Sequence, residues 1–260
     1  MPTKLCFILA LFITLTVASC AHTNKESPKE PNQPEQIQLI DLDYAPEQQL
    51  LKKVVAASPK IHNLDEGLIG TGIFIFKNEK NQGYVLSALH VIGLSTKVNV
   101  QFFNVDESDS NYIREVVTVP GVIVDWTIAK KDLVLIKIDK VPAGIEPLPL
   151  ATRNALTYDQ MVWKFGFNEG YKWTHGLYLA RENRDTKNIR QRVLLPVNKG
   201  ASGGPIVNDR GELIGVLQSF YESENEVVTI KKQRLYEHHL STGWFLPINT
   251  IHEFLKGKLK

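Results

Sequence analysis

An all-β fold is predicted by three features of this sequence. Short runs rich in β-branched and aromatic residues follow one another from about residue 72 to residue 247. Turn residues separate them at short intervals, the pattern of a barrel or sandwich. Helical periodicity shows in two short segments, one after Pro46 and one at the end of the chain.

The elements follow in order. Lys4 precedes an almost unbroken apolar run, Leu5 to Val17. That run is too short for a spanning helix, which needs roughly 20 residues, and reads as the core of a secretory signal. It ends in Val17-Ala18-Ser19-Cys20, which resembles the bacterial lipobox. That resemblance implies that residues 1–19 are a lipoprotein signal peptide and that Cys20 is acylated, with palmitate among its acyl chains. The ordinary alternative is a plain signal peptide that contains a cysteine. Ala21 after the cysteine, instead of Asp, argues by the same analogy against retention in the inner membrane of a two-membraned cell. The chain has two cysteines, Cys6 and Cys20. One leaves with the signal and one carries lipid, so the mature domain is expected to hold without a disulfide.

From Ala21 to about Gln38 the sequence is rich in Lys, Glu, Pro, Asn and Gln, with little to bury. Residues 20–45 are assigned to a flexible tether. A helix is predicted next: Pro46 suits its first turn, Leu50, Leu51, Val54 and Val55 form one stripe, and Ser58-Pro59 stops it. Strands are predicted at 72–76, 84–86, 98–102, 116–119, 122–124 and 133–138, then at 161–165, 192–195, 205–207, 213–217 and 244–247. Thr250-Ile251-His252-Glu253 has capping-box spacing and is expected to open a final helix with Phe254 and Leu255 inward. The joint between two β units falls near Pro147 to Thr157, giving an N-terminal unit over 46–150 and a C-terminal unit over 151–260.

Composition narrows the function. The 260 residues are 43% hydrophobic and 22% charged, with a formal net charge of +2, so nothing points to nucleic acid as a partner. The segment that carries most chemistry is Gly200-Ala201-Ser202-Gly203-Gly204-Pro205. A serine hydroxyl attacks poorly until a base takes its proton, and acyl transfer needs backbone donors aimed at the developing oxyanion. A glycine-flanked turn supplies both, with Gly203 and Gly204 read as leaving room for substrate. Taken alone, it is also an ordinary turn before a strand. Upstream, His90 directly follows the apolar stretch Gly83 to Leu89, and Asp132 immediately precedes Leu133 to Ile138. Histidine is the natural base near neutral pH, and a carboxylate bonded to one ring nitrogen aims the other at the serine. Singly, His90 reads as a structural histidine and Asp132 as a strand-opening cap. Together, in the order His, Asp, Ser, they read as a catalytic triad.

These pieces resemble the chymotrypsin-fold serine proteases, and most the HtrA-like branch without a PDZ domain. The resemblance rests on Gly70-Thr71-Gly72, Val85 to Val91, Asp132 to Lys137, Phe165-Gly166-Phe167, Gly200 to Pro205, Gly211 to Val216 and Trp244 to Ile248, spanning about Leu64 to Phe254. It implies two perpendicular six-stranded antiparallel β-barrels with the site in the cleft between them. It implies His90, Asp132 and Ser202 as the triad, and the N–H groups of Gly200 and Ser202 as the oxyanion hole. Ser87 and Leu89 stand where the family usually has Thr and Ala, and Ala201 stands where it often has Asp or Asn. No PDZ-like segment follows before Lys260, so peptide-sensing behaviour does not transfer.

The resemblance also places a substrate pocket. Its base lies at Pro196 and Val197, and its wall at Gln218, Ser219 and Phe220. With no carboxylate at the base and a bulky Phe220, small or medium apolar side chains are expected before the cleaved bond. The stretch Tyr221 to Ser241 reads as a solvated hairpin near the groove. His62, His175, His238, His239 and His252 are assigned structural or exposed roles, and Trp163 and Trp173 core roles. No metal or other cofactor is expected. The partners are a polypeptide substrate and a membrane reached through lipid at Cys20, with the oligomeric state open. The expected function is serine endopeptidase activity at the cell envelope or outside the cell. The alternative is a protease-fold binding or chaperone-like envelope lipoprotein with an unused triad.

Overall fold

The chain forms two curled sheets, as seen in a computed structural model. The structure describes residues 36–38, 45–108, 112–127, 131–153, 156–157, 160–168, 171–183, 189–195, 197, 199–222, 229–230, 233–234 and 241–259. The leader, Cys20, Pro196 and the His238-His239 pair lie outside the described residues.

The first half contains β1 (Gln36–Gln38), α1 (Ala45–Ala56), β2 (Lys60–Asn63), β3 (Leu68–Lys77), β4 (Gly83–Ala88), the single turn α2 (Leu89–Ile92), β5 (Lys97–Val105), β6 (Tyr112–Thr127) and β7 (Leu133–Ile138). The sheet runs β1-β6-β5-β2-β3-β4-β7, and β6 also pairs with β7, so strands β2 to β7 curl round on themselves. The long β6 makes this possible. Its residues 113–122 pair with β5 and its residues 121–127 with β7. The sequence signals for two strands are thus one strand turning a corner at Pro120-Gly121. Pro120 is exposed there, and Gly121 faces Ile136 and Val100 too closely for a side chain.

The second half contains β8 (Met161–Asn168), β9 (Tyr171–Asn183), β10 (Ile189–Leu194), β11 (Pro205–Val207), β12 (Leu213–Glu222), β13 (Thr229–Ile230), β14 (Gln233–Arg234), β15 (Ser241–Pro247) and α3 (Ile248–Leu255). Strands β10-β15-β12-β11-β8-β9 form a closed antiparallel barrel, which removes exposed edges. The predicted hairpin between Tyr221 and Ser241 contains the short β13–β14 pair, whereas Tyr221 and Glu222 extend β12.

Packing across the halves is aromatic. The rings of Phe103 on β5 and Phe167 on β8 lie 4.7 Å apart, and Phe165 meets Phe167 edge-on at 5.0 Å. Such pairs add about 0.5–1.5 kcal/mol beyond burial. Helix α1 buries Leu51, Val54 and Val55 as its stripe requires. It also reaches the second half, where the Trp163 indole N–H donates to the Glu47 carboxylate at 3.3 Å.

Several elements differ from the sequence reading. Residues 36–38, within the stretch assigned to the tether, pair with Arg114, Ile113 and Tyr112 as β1. Strands β2 and β9 were not signalled, because both mix polar and apolar residues without a clean alternation. The final helix opens at Ile248, not at a Thr250 cap. Pro247 precedes it in extended conformation without a side-chain cap, and burial of Ile248, Ile251, Phe254 and Leu255 draws in the extra residues.

Candidate active site

The site is assembled from the ends of strands. Strand β4 is buried along its whole length and delivers the chain to α2, where Val91 and Ile92 are buried and anchor the turn. His90 lies between these anchors and Leu89, with its side chain 47% exposed. The buried Asn63 amide donates to the Ile92 carbonyl at 2.7 Å and closes the turn from below.

Asp132 enters from the chain before β7, with φ at +46°. Its Oδ2 lies 2.6 Å from His90 Nδ1, and its Oδ1 accepts the His90 main-chain N–H at 2.9 Å. The Leu89 N–H donates to the Asp132 carbonyl at 3.0 Å, so the two segments are joined along the main chain as well. A carboxylate accepts, so in the neutral imidazole Nδ1 is the nitrogen that carries the proton and Nε2 is the acceptor.

Ser202 lies on the 200–204 turn before β11. Gly200 and Gly203 have φ of +87° and +81°, a region that favours glycine. The turn is pinned by Gly203 N–H to the Leu217 carbonyl at 2.8 Å and Gly204 N–H to the Ala201 carbonyl at 3.0 Å. Because a peptide is trans and planar, fixing the Ala201 carbonyl turns the Ser202 N–H the opposite way. Among the described residues, no acceptor takes the N–H of Gly200 or Ser202. The two donors expected of an oxyanion hole are therefore uncommitted among the described residues.

The room at Gly203 is not left for substrate, which corrects the sequence reading. A Cβ there would lie 2.3 Å from both the Ser87 hydroxyl and the Thr71 carbonyl. The glycine lets the serine turn pack directly on the end of β4, two residues before α2. Gly70 works the same way, since a Cβ there would strike Val91 and approach the Ser202 carbonyl at 3.1 Å. This close packing brings the Ser202 turn against the segments that carry His90. The Ser202 hydroxyl itself makes a long 3.5 Å contact to the Gln218 carbonyl, and no hydrogen bond to His90 is formed.

Of the pocket residues, Val197 is buried and, with Val193 and Leu217, surrounds Gly243. Gln218 is 3% exposed and sits where the β12–β15 register shifts, its amide without a hydrogen-bond partner among the described residues. Ser219 and Phe220 continue β12 opposite Trp244 and Gly243. Outside the site, the His252 ring bonds the Ala151 carbonyl at 2.7 Å, a structural role, and Trp163 is buried. His62 is half-buried on β2, and His175 and Trp173 lie on β9.

Sequence reasoning gave Thr71 no role beyond its place in the glycine motif. It is fully buried and contacts the serine turn, β4 and β8 together. Its signal was a hydroxyl between two glycines at the start of an apolar strand, which by itself names no partner.

With the geometry in hand, comparisons with known proteins give consistent results. The family profile described as Trypsin-like peptidase domain matches residues 70–216, more than half of the chain. Periplasmic serine endoprotease DegP of Escherichia coli (strain K12) is 26% identical over 154 residues, covering 57% of this chain and 29% of that protein. A probable periplasmic serine endoprotease DegP-like protein of Buchnera aphidicola is 25% identical over 190 residues, covering 71% of this chain and 35% of that protein. The chain thus spans about a third of the length of these relatives. The crystal structure of Deg5 superposes with a TM-score of 0.60 at 20% identity, covering 84% of this chain and 99% of that one. A serine endoprotease from Yersinia pestis gives 0.57 at 18% identity, covering 83% and 67%. The structural matches establish a shared fold.

Proposed function

We propose a function from one premise: this chain belongs to the trypsin-like peptidase domain family. It is a serine endopeptidase that cleaves polypeptides through an acyl-enzyme, with His90, Asp132 and Ser202 as its triad. The observation that carries this reading is the 2.6 Å pairing of His90 Nδ1 with Asp132, beside a serine turn whose N–H donors have no partner among the described residues.

In this reading Ser202 Oγ attacks the scissile carbonyl as His90 Nε2 takes its proton. The N–H groups of Gly200 and Ser202 receive the oxyanion. The imidazolium then protonates the leaving amine, and water, activated by the same nitrogen, releases the acyl group. The serine hydroxyl leaves its contact with Gln218 by rotation about χ1 alone. Catalytic hydrogen bonds are often long or poorly aligned until substrate is bound, and here the serine hydroxyl contacts Gln218 instead of His90.

A serine-directed fluorophosphonate tests the reading without knowledge of substrate. Labelling of the wild type, absent in Ser202→Ala, is the expected result. An unlabelled, folded wild type favours the alternative of a binding or chaperone-like module.

The proposed site of action is the cell envelope or the space outside the cell. The apolar leader, the Val17 to Cys20 motif and the periplasmic relatives support it. Cys20→Ser is expected to move the protein out of the membrane fraction, and unchanged fractionation would count against the lipid anchor. The proposed pocket of Pro196, Val197, Gln218, Ser219 and Phe220 selects small or medium apolar residues. Cleavage of a peptide library, read by mass spectrometry, checks this, and a dominant Lys or Arg would refute it.

A further inference from the structure

We infer that Thr71 is a positioning residue for the serine turn, acting through its hydroxyl; this rests on the proposed serine-endopeptidase reading. Thr71 is 0% exposed, and both polar groups of its main chain and its hydroxyl are committed. Its N–H donates to the Ser202 carbonyl at 2.9 Å. Its hydroxyl donates to the Gly200 carbonyl at 2.8 Å and accepts the Phe167 N–H at 2.9 Å. Its carbonyl accepts the Ser87 hydroxyl at 2.7 Å.

One residue therefore holds the carbonyls on both sides of the nucleophile. A hydroxyl has one proton to donate, and here it goes to Gly200. With the Gly200 and Ser202 carbonyls turned toward Thr71, and the Ala201 carbonyl held by Gly204, three successive peptide planes of the turn are fixed. The Ser202 N–H is then set in place before substrate arrives, and so is the backbone from which its side chain projects. Such preorganisation matters most where negative charge develops, because misaligned donors must reorganise during the reaction.

The geometry separates two roles. The main-chain N–H donor to Ser202 is kept in both Thr71→Val and Thr71→Ser, whereas the hydroxyl is removed by Thr71→Val at nearly constant shape and kept by Thr71→Ser. The same hydroxyl ties the turn to Phe167, whose ring packs on Phe103 across the two halves. Thr71 thus links the placement of the nucleophile to the contact between the halves.

The test compares wild type, Thr71→Val and Thr71→Ser by fluorophosphonate labelling rate, by kcat and KM on a peptide substrate, and by Tm. Thr71→Val is expected to label and turn over at least about tenfold more slowly, with KM within twofold, the signature of an interaction that serves the transition state. Thr71→Ser is expected to recover most of the rate. A purely structural role would lower Tm in the valine variant and leave the labelling rate of the folded fraction at the wild-type value, which overturns the inference. Equal loss in the serine variant overturns it too. Should Thr71→Val not fold, Thr71→Cys takes its place, with a weak donor of similar size and the same expected loss. A folded wild type that does not label refutes the peptidase reading itself, and this inference with it.

Discussion

Asp132 takes two hydrogen bonds from His90, one from its main-chain N–H at 2.9 Å and one from ring Nδ1 at 2.6 Å. Each carboxylate oxygen has its own partner, so the ring is tied to the same group that holds its backbone. The orientation of the imidazole is thereby coupled to the position of α2, and both depend on the start of β7.

This coupling makes Asp132→Asn informative. An amide has one oxygen and one NH2 group. With the oxygen retained on the His90 main-chain N–H, the NH2 faces Nδ1, and the ring proton moves to Nε2. The histidine can no longer accept the serine proton. The labelling rate is expected to fall by about four orders of magnitude, with Tm little changed. A loss below tenfold would remove Asp132 from the triad.

Gly203→Ala tests the packing of the serine turn on β4. A positive φ costs an alanine about 1–2 kcal/mol, and the new methyl meets the Thr71 carbonyl and the Ser87 hydroxyl as well. Lower Tm and loss of fluorophosphonate labelling are expected together. Retained labelling at wild-type rate would show that the turn tolerates displacement from Thr71 and Ser87.

Gln191 is fully buried on β10, and neither atom of its amide has a partner among the described residues. A buried polar group left unpaired costs about 1–3 kcal/mol, and a methyl thioether of similar size carries no such cost. Gln191→Met is therefore expected to raise Tm, by roughly 2–4 °C per kcal/mol recovered in a chain of this size. A fall in Tm on thermal unfolding would mean that the amide does useful bonding.

Acid sensitivity is expected to trace in part to Asp106. The Ser108 hydroxyl, then the Ser108 N–H and the Arg114 guanidinium, hold its carboxyl below the usual aspartate value of 3.8. A lowered folded pKa means that its contribution to stability is full above the unfolded value and is lost as pH falls through the folded one. Wild type should exceed Asp106→Asn in stability at pH 6, and the gap should close as pH drops below 3.8. Urea unfolding at a series of pH values measures it, and a gap independent of pH would refute the assignment.

Local pattern made much of this protein legible from sequence alone. The apolar runs at 72–76, 133–138 and 213–217 form strands because burial of β-branched side chains decides them. His90, Asp132 and the Ser202 turn stood out because each carries a polar group beside an apolar strand or a glycine turn. Tertiary structure decided the rest. Strand β2 forms although its sequence carries no clean alternation, since Ile61 and Asn63 face inward and Asn63 finds its partner at Ile92, 29 residues away. The two strands predicted around Pro120-Gly121 merge because β6 must pair with both β5 and β7 for the sheet to curl. Thr71 gains its role from Ser87, Phe167, Gly200 and Ser202, which only the packed halves bring to it. Hydrophobic period is written in neighbouring residues, whereas a hydrogen bond between residues 71 and 200 exists only after every strand between them has found its place.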